Sequence, residues 1–362
     1  MFVDVLIADK ELIKKTGLFE EMRELDKVWP GIVDSARDCY AYNLSGTSVD
    51  VYKAHWNHWL KFAQHAGYDA ADKITEDKLC MWMVYAAGFA TRRISPRSVG
   101  NYLVGIRHFM QELGMGDPAK WLKPYRILRG LKRRAAQVER KEKKLALTMK
   151  WVRLIVGRLK EHDQFRGDNL MCVAVMVQAL IGLHRMGELT ASAENREDGP
   201  LVSHWNPTAR TLLLPRSKED IFGVGIVVGY PEGKLVPEEL NVAHLIRHHH
   251  EERQSRLGAA CLAPSEQLYR REDGKAVTRS YWVRWLRQQL RHHMPKSELR
   301  RYAGHSPRRG GATMLADAGV PQYVVKILGR WSSDCFLSYV QMQPQVRAQH
   351  ALVMYTNMAQ QE

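Results

Sequence analysis

Between residues 210 and 229 the apolar pattern of the chain changes period. Phe222, Val224, Ile226 and Val228 alternate with Gly223, Gly225, Val227 and Gly229, the period-two signature of a strand. Arg210–Leu214 is a second short β-rich run, and Pro215–Asp220 (PRSKED) joins the two as a hairpin turn. The flanking regions carry helical spacing instead. Val49, Tyr52, Trp56, Trp59, Leu60 and Ala63 mark one helix, and Gly67 is placed to stop it. A second helix is expected over Thr75–Phe89. A third opens with Ser95-Pro96, an N-cap followed by proline in the first turn, and carries Val99, Tyr102, Leu103, Ile106, Phe109, Met110 and Leu113 on one face. Helical pattern returns from Thr148 to about Ser192 and from about residue 236 onwards. These periods constrain the chain to a mainly α fold with a small β-sheet. A short helix is expected within residues 1–30.

The helical stripes are core faces. The side chains expected to point outward between them, Lys53, His55, Lys61, Arg97, Asn101 and Arg107, are the ones able to touch a partner. Its 362 residues suffice for two domains, and 45% hydrophobic composition supports a large core. The formal net charge of +15 points to a polyanionic partner, because each neutralised phosphate releases counterions. That charge is clustered. Nine Lys/Arg stand against two Glu from Pro124 to Lys144, including Lys132, Arg133 and Arg134. The expected division is an N-terminal extension (1–43), a helical domain (44–131), a basic linker (132–147), a second domain (148–345) and a C-terminal helix or tail (346–362).

Five cysteines (Cys39, Cys80, Cys172, Cys261, Cys335) are dispersed without CxxC spacing, which fits reduced intracellular thiols rather than a disulfide framework. The three consecutive histidines at 248–250 project about 100° apart on a helix, so no metal site is expected there. No apolar run is long enough to span a membrane. The N-terminus, MFVDVLIADKELIKK, lacks a basic region before its apolar part and does not read as a signal peptide.

Chemistry concentrates towards the C-terminal end. The stretch His305–Tyr339 reads HSPRRGGATMLADAGVPQYVVKILGRWSSDCFLSY. His305 and Arg308 are three apart and share a helical face. A guanidinium fork suits two oxygens of one phosphate, and an imidazole exchanges protons near neutral pH. Arg309 points about 100° away, towards backbone phosphate or a carboxylate. Arg185 and Glu188, in LIGLHRMGEL, are also three apart, and His184 beside them reads as structural. Lys218 sits at the hairpin tip. An ordinary tyrosine hydroxyl has a pKa of about 10, so Tyr339 needs cationic neighbours to attack as a phenolate. Two arginines, a lysine, a histidine and a tyrosine can break and remake a phosphodiester. The arginines neutralise the non-bridging oxygens, the tyrosine attacks, and lysine and histidine move protons.

These motifs resemble the tyrosine recombinases, the phage-integrase family. The likeness is strongest to recombinases of eukaryotic DIRS-type and Crypton-type mobile elements, whose wording, roughly GHSxRRGGAT then LGRWSSDxFxxY, is nearly reproduced. It covers residues 44–345 and is strongest from 264 onwards. The resemblance implies a two-domain C-shaped clamp, with a helical core-binding domain and a mixed α/β catalytic domain. It implies that Tyr339 is the nucleophile, that Arg185 and Arg308 hold the phosphate, and that Glu188 orients the site. Lys218 would enter the minor groove and protonate the leaving 5′ oxygen. The family usually has His or Trp nine residues before the nucleophile. By count that position is Arg330, and by residue type it is Trp331 at eight; Trp331, packing against the phosphate site, is the favoured match, with Arg330 second. Tyr323 and Tyr355 have the wrong spacing to replace Tyr339.

The implied function is site-specific DNA recombination through a 3′-phosphotyrosyl intermediate, for mobile-element integration or excision, with no cofactor and no metal. The implied partners are double-stranded DNA and the chain itself, as a dimer or tetramer on DNA. Val346, Ala351, Leu352, Val353 and Met354 would line a final helix that docks into a neighbouring protomer. The location is intracellular, and nuclear in a eukaryote. Two alternatives stand beside this reading. One is a type IB topoisomerase, though that family usually has lysine where this chain has His305. The other is a domesticated DNA-binding protein that keeps the fold without the chemistry.

Overall fold

The computed structural model describes residues 20–41, 46–69, 72–138, 142, 144–215, 220, 224–233, 236–334 and 337. Lys218, Phe222, Gly223, Tyr339 and the expected tail helix beyond Val346 lie outside the described residues. The chain divides into two compact units, residues 1–141 and 142–362.

The first unit is helical. A 3-10 turn over Glu20–Lys27 precedes α1 (Ile32–Ala41), α2 (Gly46–His65), α3 (Glu76–Gly88), α4 (Pro96–Glu112) and α5 (Leu122–Val138). The caps follow local chemistry. Thr75 accepts a hydrogen bond from the Lys78 N–H, and Ser95 accepts one from Ser98 N–H with Pro96 next to it in the first turn. Gly67 ends α2 at φ +70°, where Tyr68 N–H returns to the Ala63 carbonyl at 2.9 Å. Trp56, Trp59 and Phe62 of α2 pack with Leu79, Trp82 and Met83 of α3 and Val99, Ile106, Phe109 and Met110 of α4. One outward expectation fails. His55 is 8% exposed and its ring stacks on Tyr102 at 4.2 Å. The cause is Gly105, where a Cβ would lie 2.7 Å from His55 Nδ1, so the missing side chain admits the imidazole between α2 and α4. Residues 132–138, within the expected basic linker, continue α5 as helix.

The second unit carries α6 (Met149–Glu161), α7 (Gly167–Ile181), α8 (Met186–Leu189), β1 (Trp205–Asn206), β2 (Thr211–Leu214), β3 (Ile226–Gly229), α9 (Val242–Leu257), α10 (Arg279–Leu290), α11 (Lys296–Leu299), α12 (Ser306–Asp317) and α13 (Gln322–Leu328). The strands form an antiparallel sheet in the order β1-β2-β3, with Thr211 opposite Gly229 and Leu214 opposite Ile226. Helix α7 is the hub, buried at every position from Leu170 to Leu180. Helix α12 lies directly on it. A Cβ at Gly310 would fall 2.0 Å from the Leu147 carbonyl oxygen, and one at Gly311 would fall 2.2 Å from that of Leu180. The glycine pair therefore lets α12 approach two stretches of backbone. This seats the start of α12 beside the turn that follows α7.

Candidate active site

Helix α7 ends at Gly182, and the chain turns through Leu183, a non-glycine residue at φ +48°. His184 and Arg185 follow, and Arg185 caps the short α8. Glu188, one turn on, accepts from Arg185 N–H at 3.1 Å and from Arg185 Nη1 at 3.1 Å. The expected pairing of Arg185 with Glu188 is thus formed at a helix start rather than along a helix face.

The Glu188 side chain is 6% exposed and takes further hydrogen bonds from His184 Nδ1 at 3.2 Å and Arg330 Nη2 at 2.9 Å. Burial alone would raise its pKa. The His184 hydrogen bond and the charges of Arg330 and Arg308 outweigh that and bring it down to about 2. An ionised carboxylate only accepts, so His184 Nδ1 carries the proton and Nε2 accepts from the Tyr230 hydroxyl at 2.6 Å. His184 is fully buried, and burial pushes its pKa down to about 4. Burial also raises the pKa of the Tyr230 hydroxyl. His184 and Tyr230 are therefore neutral at physiological pH and serve as fixed dipoles that orient Glu188.

Arg308 projects from the first turn of α12 and has no exposed surface. Its Nη1 donates to the Leu183 carbonyl and its Nη2 to the Gly329 carbonyl. Its guanidinium lies 4.2 Å from the centroid of the Trp331 ring. Trp331 is 6% exposed and packs with Leu183, Ala312 and Val325. Gly329 is required beneath it, since a Cβ there would fall 1.6 Å from the indole.

Arg330 and Trp331, the two residues competing for one sequence position, go to different places. Arg330 sits at φ +55° and its side chain turns inward. Its Nη1 donates to the Gly182 carbonyl at 3.0 Å, and its Nη2 donates to the Leu183 carbonyl at 3.2 Å as well as to Glu188. Trp331 lies instead against the Arg308 guanidinium.

His305 stands immediately before α12, half-buried. Burial lowers its pKa first, and the charges of Arg279, Arg308, Arg185 and Arg309 lower it further. The structure thus brings Arg185, Glu188, His305, Arg308, Arg309 and Trp331 together, from three separate stretches of sequence. Lys218 and Tyr339 are outside the described residues. The Asp220 carboxylate accepts from Val224 N–H at 3.0 Å and Gly225 N–H at 2.7 Å.

The expected DNA-facing residues of the first unit divide by environment. Arg97, Lys132, Arg133 and Arg134 are exposed, and Lys53 is half-buried. Arg107 is exposed but held by Asp117, with Nε 2.8 Å from Oδ1 and Nη2 3.1 Å from Oδ2. Among the described residues, no group of three or more His, Cys, Asp or Glu side chains is placed to hold a metal ion. Among them, too, no helix is long and apolar enough to cross a membrane.

His184, expected to be structural or incidental, has a structural role: it is fully buried and hydrogen-bonds Glu188. Two participants carry no sequence signal of this kind. Tyr230 and Arg279 carried no motif. The only local signal for Arg279 is Gly304, beside His305, which leaves room for the arginine.

The sequence matches no protein-family model and no curated protein. Solved structures do match. The Tn1549 transposon integrase in complex with circular-intermediate DNA superposes with a TM-score of 0.54 at 13% identity, over 88% of this chain and 97% of that one. Its complex with transposon right-end DNA gives 0.52 at 12% identity, over 87% and 96%. Mainly helical with a small three-stranded antiparallel sheet, this chain has the fold of the integrases and tyrosine recombinases.

Proposed function

We propose that this protein is a site-specific DNA recombinase of the tyrosine type, acting in the integration or excision of a mobile element. The observation that carries the reading is the meeting of Arg185, His305, Arg308 and Trp331 around the Glu188 network, on the fold of an enzyme solved bound to transposon DNA. Two guanidiniums and an imidazole kept neutral by burial and cationic neighbours form a site for a phosphodiester in its pentavalent transition state.

In this mechanism Tyr339 gives its hydroxyl proton to the neutral His305, its Oη attacks the scissile phosphorus, and the bond from phosphorus to the 5′ oxygen breaks. The leaving oxygen takes a proton from Lys218, which gives a 3′-phosphotyrosyl link and a free 5′ hydroxyl. A 5′ hydroxyl from a partner duplex, losing its proton to Lys218, then attacks the phosphotyrosine, and the bond to Tyr339 Oη breaks as His305 returns the proton to it. One phosphodiester is exchanged for another of similar energy, so no nucleotide hydrolysis is required. Glu188 holds Arg185 in place. Arg308 is fully enclosed, so its engagement with phosphate requires local opening around it. The chain works as a dimer or tetramer on paired DNA sites.

The test starts from the DNA that the protein occupies in cells. That DNA, made as a nicked substrate, should trap the wild-type chain in a denaturant-resistant adduct. Tyr339→Phe should bind within a few fold of wild type and form no adduct. An adduct with the Phe variant would overturn the assignment.

A further inference from the structure

Arg279 is the first residue of α10, behind the N-cap Thr278, whose hydroxyl accepts from Tyr281 N–H at 3.1 Å. The backbone that carries it is anchored to the end of α8. Ala191 pairs with Thr278, and Ala191 N–H donates to the Val277 carbonyl at 2.9 Å. Its side chain runs across Gly304. A Cβ at Gly304 would lie 2.6 Å from Arg279 Nε and 3.2 Å from its Cδ and Cγ. The missing side chain at 304 is therefore the bed in which the arginine lies, one residue before His305.

Three neighbouring arginines make bonds within the protein. Arg308 and Arg330 donate to main-chain carbonyls, and both Arg185 and Arg330 pair with Glu188. Arg279 differs from them. It is exposed, and among the described residues no carboxylate or carbonyl is bonded to its guanidinium. A permanent charge held beside His305, without a counter-ion among the described residues, is suited to an external anion.

We infer that Arg279 binds a backbone phosphate of the DNA next to the scissile one, fixed by its bed on Gly304. The inference rests on the proposed DNA reading and adds to it a contact outside the reacting group. The arginine positions the duplex; it does not take part in bond breaking.

The experiment uses the full-length chain carrying Tyr339→Phe and a short random-sequence duplex, with binding measured across a range of salt concentrations. Arg279→Gln should weaken binding and lower the slope of log affinity against log salt by about 1, the loss of one phosphate contact. Arg279→Lys should restore most of the slope. Gly304→Ala should weaken binding as Arg279→Gln does, because the new methyl displaces the guanidinium. Thermal midpoints of the two Arg279 variants should stay at the parent value, since the side chain being changed is exposed and bonds no carboxylate or carbonyl among the described residues. In the DNA-free protein, His305 should titrate at higher pH in Arg279→Gln, as followed by NMR. An unchanged salt slope in Arg279→Gln, with the parent binding DNA, would overturn the phosphate contact alone. An unchanged His305 titration would overturn the placement of Arg279. A parent chain that binds no duplex at all would overturn the proposed function, and this inference with it.

Discussion

Arg330 and Glu188 form an enclosed ion pair, with Nη2 2.9 Å from Oε2 and side chains 9% and 6% exposed. Glu188 also receives His184 and both donors of Arg185, so a single carboxylate fixes three cationic or polar groups. Substituting Glu188 should therefore be costly out of proportion to one contact. Glu188→Gln leaves Arg330 and Arg185 without a counter-charge and should destabilise the chain by about 3 kcal/mol, the scale for breaking a buried pair. Urea denaturation would measure this. A loss below about 0.5 kcal/mol, the range of ordinary surface substitutions, would show that the carboxylate does not organise the site.

Acidification should weaken the same network in two stages. The folded-state pKa of His184 is depressed from 6.5 to about 4, so the unfolded chain binds its proton first. Stability from this group is complete above pH 6.5 and is lost as pH falls towards 4. Glu188, depressed from 4.5 to about 2, loses its contribution in the lower window. His184→Gln should flatten the fall in unfolding midpoint between pH 6.5 and 4 relative to wild type. A fall of equal size in both proteins would remove His184 as its cause.

Arg308→Ala and Arg185→Ala should each lower single-turnover cleavage by at least about 100-fold, the scale for one preorganised transition-state contact. Lysine at either position should recover only part of the rate, because it lacks the planar fork. Near wild-type cleavage by an alanine variant would place that arginine outside the chemistry.

Lys218→Ala should be rescued by a substrate with sulfur at the 5′-bridging position, whose leaving group needs no proton. Cleavage rates on the oxygen and sulfur substrates, measured side by side, give the answer. Intact binding without rescue would assign Lys218 to DNA contact instead.

Gly310→Ala places a methyl 2.0 Å from the Leu147 carbonyl oxygen, which is backbone and cannot swing aside. It should cost at least about 2 kcal/mol as overpacking and lower the thermal midpoint. A midpoint equal to wild type would mean that α12 does not require this close approach.

Local chemistry made much of the fold legible from sequence. The β-rich run at 210–214 became β2 and the later half of the period-two run became β3, with Val224 and Gly225 outside the strand; Thr75 and Ser95 capped the helices they precede, and Gly67 ended α2 at positive φ. Such features depend on backbone preferences over a few residues, so their signal is contained in those residues. Spacing also set Arg185 against Glu188 and His305 near Arg308, because each pair lies within one turn of chain.

Contacts between distant stretches were decided only by tertiary structure. Residue type favours Trp331 over the adjacent Arg330, but sequence does not say where either side chain goes. The positive φ of Arg330 turns its side chain to the carbonyls of Gly182 and Leu183, while Trp331 lies over Arg308. His184 meets Tyr230, which directly follows β3, Arg279 lies on Gly304, and His55 fills the gap at Gly105. In each case a group's role is set by which remote backbone or missing Cβ it packs against. That information arises only when the helices and strands are assembled, because burial and hydrogen-bond satisfaction are properties of the whole packed unit.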